Sequence, residues 1–109
     1  MSPEAPLGAF EEQILVAVLR TAGEAYGMEE RREIERVTGR ELAIGAVYAT
    51  LDRLEAKGLV ASGRRQAAGS RRLFAVSPAG ARALADTRAM RDRLWSGIDL
   101  PQLHALARA

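Results

Sequence analysis

The chain has 109 residues, of which 48% are hydrophobic and 28% are charged, and it carries a formal net charge of +2. This length and composition indicate one soluble folded domain and exclude wholesale disorder or a fibrous protein. The longest apolar run, residues 42–49, is far shorter than the ~20 residues that cross a membrane, and the opening lacks a signal-peptide pattern. The chain has no Cys, which excludes disulfides, thiolate metal sites and a Cys nucleophile, and we expect a cytoplasmic protein.

The small net charge is an average over two unlike halves. Residues 1–62 contain 7 Arg and Lys against 11 Asp and Glu, whereas residues 63–109 contain 9 against 3. This asymmetry predicts that the basic half meets a polyanion. The composition of a GC-rich genome is an alternative explanation, because 15 of the 16 basic residues are Arg and 21 residues are Ala.

The first half of the chain predicts three helices. Residues 1–6 are expected to be a flexible tail, followed by helices over residues 8–21, 27–38 and 44–57. Gly39 and Gly58 are expected to end the second and third helices. The mixed charges of the second helix predict a solvated face with i,i+4 pairs. The buried stripe of the third helix is expected to consist of Ile44, Val47, Leu51 and Leu54.

A β-hairpin and a further helix are predicted next. Residues 59–66 and 71–77 alternate as two strands around a loop that contains Gly, with Leu59, Phe74 and Val76 facing inward. Ser77 and Pro78 form a helix start, which predicts a helix over residues 78–97. Residues 101–108 are expected to add one or two turns.

Three helices followed by a hairpin predict a winged helix-turn-helix, so the fold class is mainly α with a small β-hairpin (α+β). Residues 7–77 would form the DNA-binding domain, and residues 78–109 a C-terminal dimerisation helix and tail. The third helix would enter the major groove of DNA. The small residues at its start would allow close approach to the bases and backbone, and backbone N–H groups there could hold a phosphate.

Several motifs make a family resemblance specific. They are Leu7-Gly8, Tyr26-Gly27, Gly45-Ala46-Val47-Tyr48-x-x-Leu51-x-Arg53-Leu54-Glu55-x-x-Gly58-Leu59-Val60, Arg71-Arg72-x-Phe74 and Ser77-Pro78-x-Gly80. Together they resemble the PadR family of bacterial transcriptional regulators. The Tyr26-Gly27 and Gly45-x-x-Tyr48 elements favour this family over the MarR and ArsR families. The chain departs from the pattern at Ala43 and Ile44, where a Ser or Thr often caps the third helix, which weakens that cap by ~1 kcal/mol.

The resemblance implies a sequence-specific DNA-binding regulator, acting as a repressor on double-stranded DNA. On the third helix it assigns DNA contacts to Gly45, Tyr48, Ala49, Thr50 and Arg53. On the wing it assigns them to Arg64, Arg65, Arg71 and Arg72. The structural alternatives are a half-buried Tyr48 with its hydroxyl in water, an Arg53 paired with nearby acids, and a merely solvated arginine turn.

The long C-terminal helix predicts a homodimer, because a small domain cannot cover ~30 Å of helix. The PadR resemblance likewise implies dimerisation through this helix and the first one. The predicted interface residues are Phe10, Ile14, Leu84, Met90, Leu94, Trp95 and Ile98. A two-fold dimer would bind a palindromic operator with half-sites ~34–36 Å apart. Trp95 is either an anchor of this interface or the wall of a cavity for a planar aromatic effector.

Two other function classes were considered. An enzyme is disfavoured because the single His, His104, lies near the C-terminus and no nucleophile, phosphate-loop or metal-ligand spacing appears. We therefore expect no catalytic residue, metal or cofactor. A winged helix that only contacts other proteins is the main alternative, supported by the acidic first half and opposed by the arginines of the wing.

Overall fold

A computed structural model of the protein describes residues 6–22, 25–64 and 72–109. Within these ranges it contains five helices and one two-stranded antiparallel sheet. In chain order these elements are α1 (Ala9–Arg20), α2 (Gly27–Thr38), α3 (Ile44–Ala56), β1 (Val60–Arg64), β2 (Arg72–Val76), α4 (Pro78–Trp95) and α5 (Leu100–Ala107). The predicted α+β winged-helix architecture is confirmed, and each predicted helix is present with its ends shifted by at most two residues.

The helix ends follow from the residues that the sequence places there. Gly39 follows α2 with a φ of 73°, and Gly58 lies just after α3 with a φ of 74°. This left-handed conformation costs glycine little, as predicted. At the start of α4, the Ser77 hydroxyl accepts a hydrogen bond from the Gly80 N–H at 3.0 Å, and Pro78 occupies the first helical position.

The core lies between α1, α2, α3 and the hairpin. Its apolar side chains interlock across all four elements, and Phe74 of β2 is fully buried among them. Leu59 is buried as predicted, and Val76 packs against the same cluster while remaining partly exposed. The core members are Ile14, Leu15, Ala17, Val18, Ile34, Val47, Leu51, Leu54, Leu59, Val60 and Phe74.

The wing is joined to the helices at its base. Its two strands pair from Val60 opposite Val76 to Arg64 opposite Arg72. The N–H of Phe74 also donates to the carbonyl of Ala25 at 3.3 Å, just before α2. This additional bridge, which no local sequence pattern indicates, fixes the wing relative to the start of α2.

The C-terminal helices extend beyond the core. Of the residues of α4, only Gly80 and Thr87 are buried, and α5 has no buried residue. The Thr87 hydroxyl accepts a hydrogen bond from the N–H of Leu7 at 3.2 Å, and Arg91 pairs with Glu12 of α1. In the part of the chain that is described, no helix is both long and apolar enough to span a membrane.

Candidate nucleic-acid interface

Helix α3 has one buried and one exposed face. Val47, Leu51 and Leu54 are fully buried, as the predicted stripe requires, whereas Ile44 is only partly buried. Thr50 is just 2% exposed, so its side chain cannot reach a base edge and its predicted DNA contact is wrong. The exposed face consists of Gly45, Ala46, Ala49, Asp52, Arg53 and Ala56.

The first turn of α3 is open and small. A Cβ atom built on Gly45 would meet nothing within 4 Å. Ala43 at the N-cap makes no side-chain hydrogen bond to the helix, which leaves N–H groups of the first turn free of a side-chain cap. This end of α3 therefore combines close access to the backbone with donors that suit an anion.

Tyr48 packs against the start of α2 and is partly buried. A Cβ atom on Gly27 would lie 2.4 Å from Cζ of Tyr48, which is a steric overlap. Gly27 is therefore the residue that allows the Tyr48 ring to rest on α2. Two separate elements of the sequence motif, Tyr26-Gly27 and Gly45-x-x-Tyr48, are thus one contact between helices. The Tyr48 ring is therefore half-buried, as in the structural alternative to a DNA contact. Contact between Tyr48 and DNA stays a prediction.

Arg53 and Lys57 differ in their surroundings. The Arg53 side chain is exposed and donates a hydrogen bond to the Thr50 hydroxyl at 3.2 Å. Lys57, one turn later, pairs with Glu11 of α1 at 2.8 Å, and this pairing lowers the pKa of the Glu11 carboxyl. Arg53 is therefore a cation on the exposed face of α3 that still has donors to offer, whereas Lys57 is occupied.

Arg72 is not a free cation of the wing. Its guanidinium pairs with Asp52 at 3.0 Å and Glu55 at 2.6 Å, both on α3, and lies 4.9 Å from the centroid of the Phe74 ring. Glu55 is held in turn by Ser62 of β1, whose hydroxyl and N–H both donate to it. The predicted phosphate contact of Arg72 stays a prediction, and it would compete with the two carboxylates that already bind the guanidinium. We name this group, Asp52, Glu55, Ser62 and Arg72, the wing clasp.

The remaining wing arginines cannot be placed from the geometry. The backbone of Arg64 belongs to β1, but its side chain lies outside the described part of the structure, as do Arg65 and Arg71. Their predicted contacts with DNA stay predictions that rest on the sequence.

A second motif contact sets the direction in which α4 leaves the wing. A Cβ atom on Gly80 would lie 2.0 Å from the carbonyl oxygen of Leu59, so only glycine fits. The Ser77 hydroxyl donates to the carbonyl of Gly58 at 2.6 Å, and the Ser77 N–H donates to that of Leu59 at 3.1 Å. These bonds join the end of α3, the start of β1 and the start of α4.

The residues predicted for a dimer interface fall into two groups. Ile14 is fully buried in the core, so it cannot lie at an interface and this prediction is wrong. Phe10 and Leu84 are partly buried against the core, and Met90 is also partly buried. Large apolar residues at the end of the chain are exposed, and we call this set the C-terminal apolar strip. Its members are Leu94, Trp95, Ile98, Leu100, Leu103 and Leu106.

Sequence reasoning missed half of this strip. The leucines at positions 100, 103 and 106 recur at helical spacing, which could have identified them. The described residues include no group of three acids or histidines arranged to hold a metal ion.

Comparison with known proteins identifies the family. The profile of the transcriptional regulator PadR-like family matches residues 14–86. RosR from H. salinarum is 26% identical and superposes with a TM-score of 0.72, covering 93% of this chain and 88% of its own. No curated protein sequence matches the chain.

Two more distant structures share the fold. The winged-helix DNA-binding protein F93 from STIV is 10% identical, with a TM-score of 0.72 over 87% of this chain and all of its own. Bordetella bronchiseptica BpsR, whose DNA binding is regulated by 6-hydroxynicotinic acid, is 19% identical, with a TM-score of 0.65 over 98% of this chain and 79% of its own. With the family profile covering most of the chain, this protein belongs to the PadR-like family and is a DNA-binding transcriptional regulator.

Proposed function

We propose that the protein is a homodimeric repressor that reads a palindromic operator with α3. The observation that carries this proposal is the exposed face of α3, where Gly45, Ala46 and Ala49 leave the helix backbone open while the opposite face is locked into the core. A helix of this shape fits the major groove, which is wide enough to admit it. Arg53, at the far end of the same face, is long enough to reach a base or a phosphate.

Phosphate contacts are assigned to two parts of the domain. Arg64 ends β1, and Arg65 and Arg71 follow it in the sequence before β2; residues 63–76 contain no acid. The open first turn of α3 adds backbone N–H groups. Contacts of this kind position a protein on DNA without reading its sequence.

The dimer is assigned to the C-terminal apolar strip. Leu94 is 70% exposed and Trp95 is 50% exposed, and several large exposed apolar side chains within one short stretch of chain favour an interface. We therefore assign residues 7–77 to DNA binding and residues 78–109 to dimerisation. Two α3 helices related by a two-fold axis would meet half-sites ~34–36 Å apart. A dimer bound in this way over a promoter would exclude polymerase, which is the reason for proposing repression.

Trp95 is also the proposed contact for a planar aromatic effector. Half of its surface is exposed in the single chain, so a ring could stack on it between subunits. The regulation of BpsR by 6-hydroxynicotinic acid is an example from a protein of the same fold. Quenching of the fluorescence of the sole Trp by planar aromatic acids would support this assignment, and unchanged fluorescence across such a series would rule it out.

The test of DNA binding is a gel-shift titration with the DNA upstream of the protein's own gene. A dimer that neutralises ~6–10 phosphates should lose ~10³–10⁵-fold in affinity between 50 and 200 mM salt. Arg71→Ala should reduce the salt slope by about 2, one contact per subunit. Arg108→Ala, at the exposed C-terminus, is the matched control and should leave the slope unchanged. Absence of a shift at low salt would refute the proposal in favour of a protein-interaction module.

A further inference from the structure

Asp52 is the acid on the exposed face of α3. Its side chain is 59% exposed, and it lies one turn after Ala49 and next to Arg53. A carboxylate on a surface that approaches DNA is repelled by phosphate. An acid at this position therefore requires a contact or a function that offsets its repulsion by phosphate.

The wing clasp offsets part of this repulsion, because its Arg72 guanidinium binds Asp52 and holds it in place. Arg72 donates to Oδ1 of Asp52 at 3.0 Å, while its other terminal nitrogen is bound to Glu55 at 2.6 Å. Among the described residues, no donor is hydrogen-bonded to Oδ2 of Asp52. The carboxylate is thus oriented through one oxygen, partly compensated by a cation that it shares with Glu55, and still able to accept a hydrogen bond through the other.

Asp52 is one of two carboxylates that attach the wing to α3, so it does not fill this role alone. Glu55 already binds Arg72, is less exposed at 36%, and is fixed by Ser62. This environment, with the Ser62 hydroxyl as its largest contribution, lowers the pKa of the Glu55 carboxyl. An exposed ion pair such as that of Asp52 contributes only ~0–1 kcal/mol of stability. The hydrogen bond to Asp52 is the largest cause of the raised pKa of Arg72, and the exposure of the Asp52 side chain leaves room for a further contact.

We infer that Asp52 reads a cytosine in each half-site, with Arg72 as its positioning residue. A carboxylate only accepts hydrogen bonds, so in the major groove it pairs with the N4 amino group of cytosine, is excluded by the acceptors of guanine, and is disfavoured at adenine by the N7 acceptor beside the N6 amino group. The inference rests on the proposed placement of α3 in the major groove. Arg72 orients the Asp52 carboxylate and offsets part of the negative charge that it shares with Glu55, so that Asp52 adds selectivity with less repulsion from phosphate.

The experiment is selection from a pool of randomised double-stranded DNA by the full-length protein, in parallel for the native chain, Asp52→Ala, Asp52→Asn and Asp92→Asn. Asp92 is the matched control, since it is 65% exposed and pairs with Arg88 at 3.1 Å on α4. Asp92→Asn therefore removes the same charge from a comparable ion pair away from α3. Thermal denaturation of each variant checks that it folds.

The native protein should enrich a palindrome with a cytosine at a fixed position in each half. Asp52→Ala should lose a preference of about 5- to 100-fold at that position alone. Asp52→Asn should move the preference toward adenine, because an amide pairs with that base. Asp92→Asn should keep the native motif. Arg72→Gln should weaken the preference at the same position, since the carboxylate loses its orienting donor.

Two results would overturn the inference while leaving the proposed function intact. One is that Asp52→Ala enriches the native motif unchanged. The other is that it weakens binding to all sequences equally, which is the behaviour of a purely structural ion pair. If the native protein enriches no motif at all, the proposed reading by α3 fails, and the role of Asp52 fails with it.

Discussion

Raising the pH through 7 should destabilise this protein because of a single buried carboxyl, that of Glu30 on α2. The side chain is fully buried. Burial, the largest influence, raises its pKa from 4.5 to about 7, and the nearby Glu29 and Glu33 act in the same direction. The opposing contribution is one hydrogen bond from the Thr21 hydroxyl to Oε1 at 2.9 Å, and Oε2 has no partner.

The hydrogen-bond geometry around Thr21 independently favours a protonated Glu30. The Thr21 oxygen lies 3.1 Å from the carbonyl oxygen of Ala17, 3.0 Å from that of Val18 and 2.9 Å from Glu30. A hydroxyl has only one proton and cannot satisfy three acceptors. If Glu30 is protonated, it can donate to Thr21, and Thr21 can donate to a backbone carbonyl.

The magnitude follows from proton linkage. Between pH 4.5 and 7 the folded protein binds one more proton at Glu30 than the unfolded chain does, so the free energy of unfolding falls as the pH rises. The stabilising difference is complete below pH 4.5 and is lost by the time the pH has passed 7. At about 1.4 kcal/mol for each unit of pKa shift, the loss is about 3 kcal/mol. This corresponds to a decrease in Tm on the order of 10 °C.

The assay is urea denaturation at pH 5.5, 6.5, 7.5 and 8.5, comparing the native chain with Glu30→Gln. The amide does not titrate, so the variant should show a much shallower decline over this range. Glu33→Gln is the control on the same helix. The partly buried Glu33 carboxyl, which accepts hydrogen bonds from Arg36 and Arg20, has its pKa lowered to about 2, so its stabilising effect is lost only at acid pH.

The pH dependence of stability in the two variants distinguishes the possible results. Glu33→Gln should retain most of the native decline between pH 5.5 and 8.5, because the charge of Glu33 is the smallest of the contributions that raise the pKa of Glu30. If Glu30→Gln declines as steeply as the native chain, then Glu30 does not titrate in this range and the reasoning from its burial is refuted.

Three further predictions follow from single contacts. Gly45→Ala should stabilise the free protein by up to about 1 kcal/mol, because the added Cβ atom meets nothing. The same change should weaken DNA binding if the first turn of α3 touches DNA. Denaturation measures the first effect and gel-shift titration of the same sample measures the second. Gly80→Ala should destabilise by about 3 kcal/mol, because its Cβ would overlap the carbonyl of Leu59; a normal Tm would contradict this. Leu94→Glu should convert the proposed dimer to a monomer in sedimentation, whereas Val37→Glu, at a 55% exposed position on α2, should not; equal behaviour would refute the assigned interface.

The elements of the fold were predictable because local residues determine where they begin and end. Gly39 and Gly58 end α2 and α3, and Ser77 with Pro78 begins α4, all within a turn of the helix they limit. Errors arose where residue type was weighed above position. Thr50 lies three residues after Val47 and four before Leu54, so the period of the helix already placed it on the buried face.

The wing clasp could not be predicted in the same way. Arg72 reaches Asp52 and Glu55, which lie 20 and 17 residues earlier in the chain. No local pattern indicates such a pairing, since it depends on the register of the hairpin and on the angle at which the hairpin packs against α3. The sequence showed a cluster of like charges, and only the fold shows that one of them is neutralised.

The motifs that identify the family are largely contacts between elements. Gly27 accommodates Tyr48, and Gly80 accommodates the backbone of Leu59, so these residues fix how α3 and α4 are presented. The exposed Ala49 and Asp52 fall at positions that the motif leaves unspecified. Membership of the family therefore explains how α3 is held, whereas the DNA sequence that we propose it reads would depend on side chains outside the shared contacts. Selection experiments with the Asp52 variants test directly which side chains determine the DNA sequence.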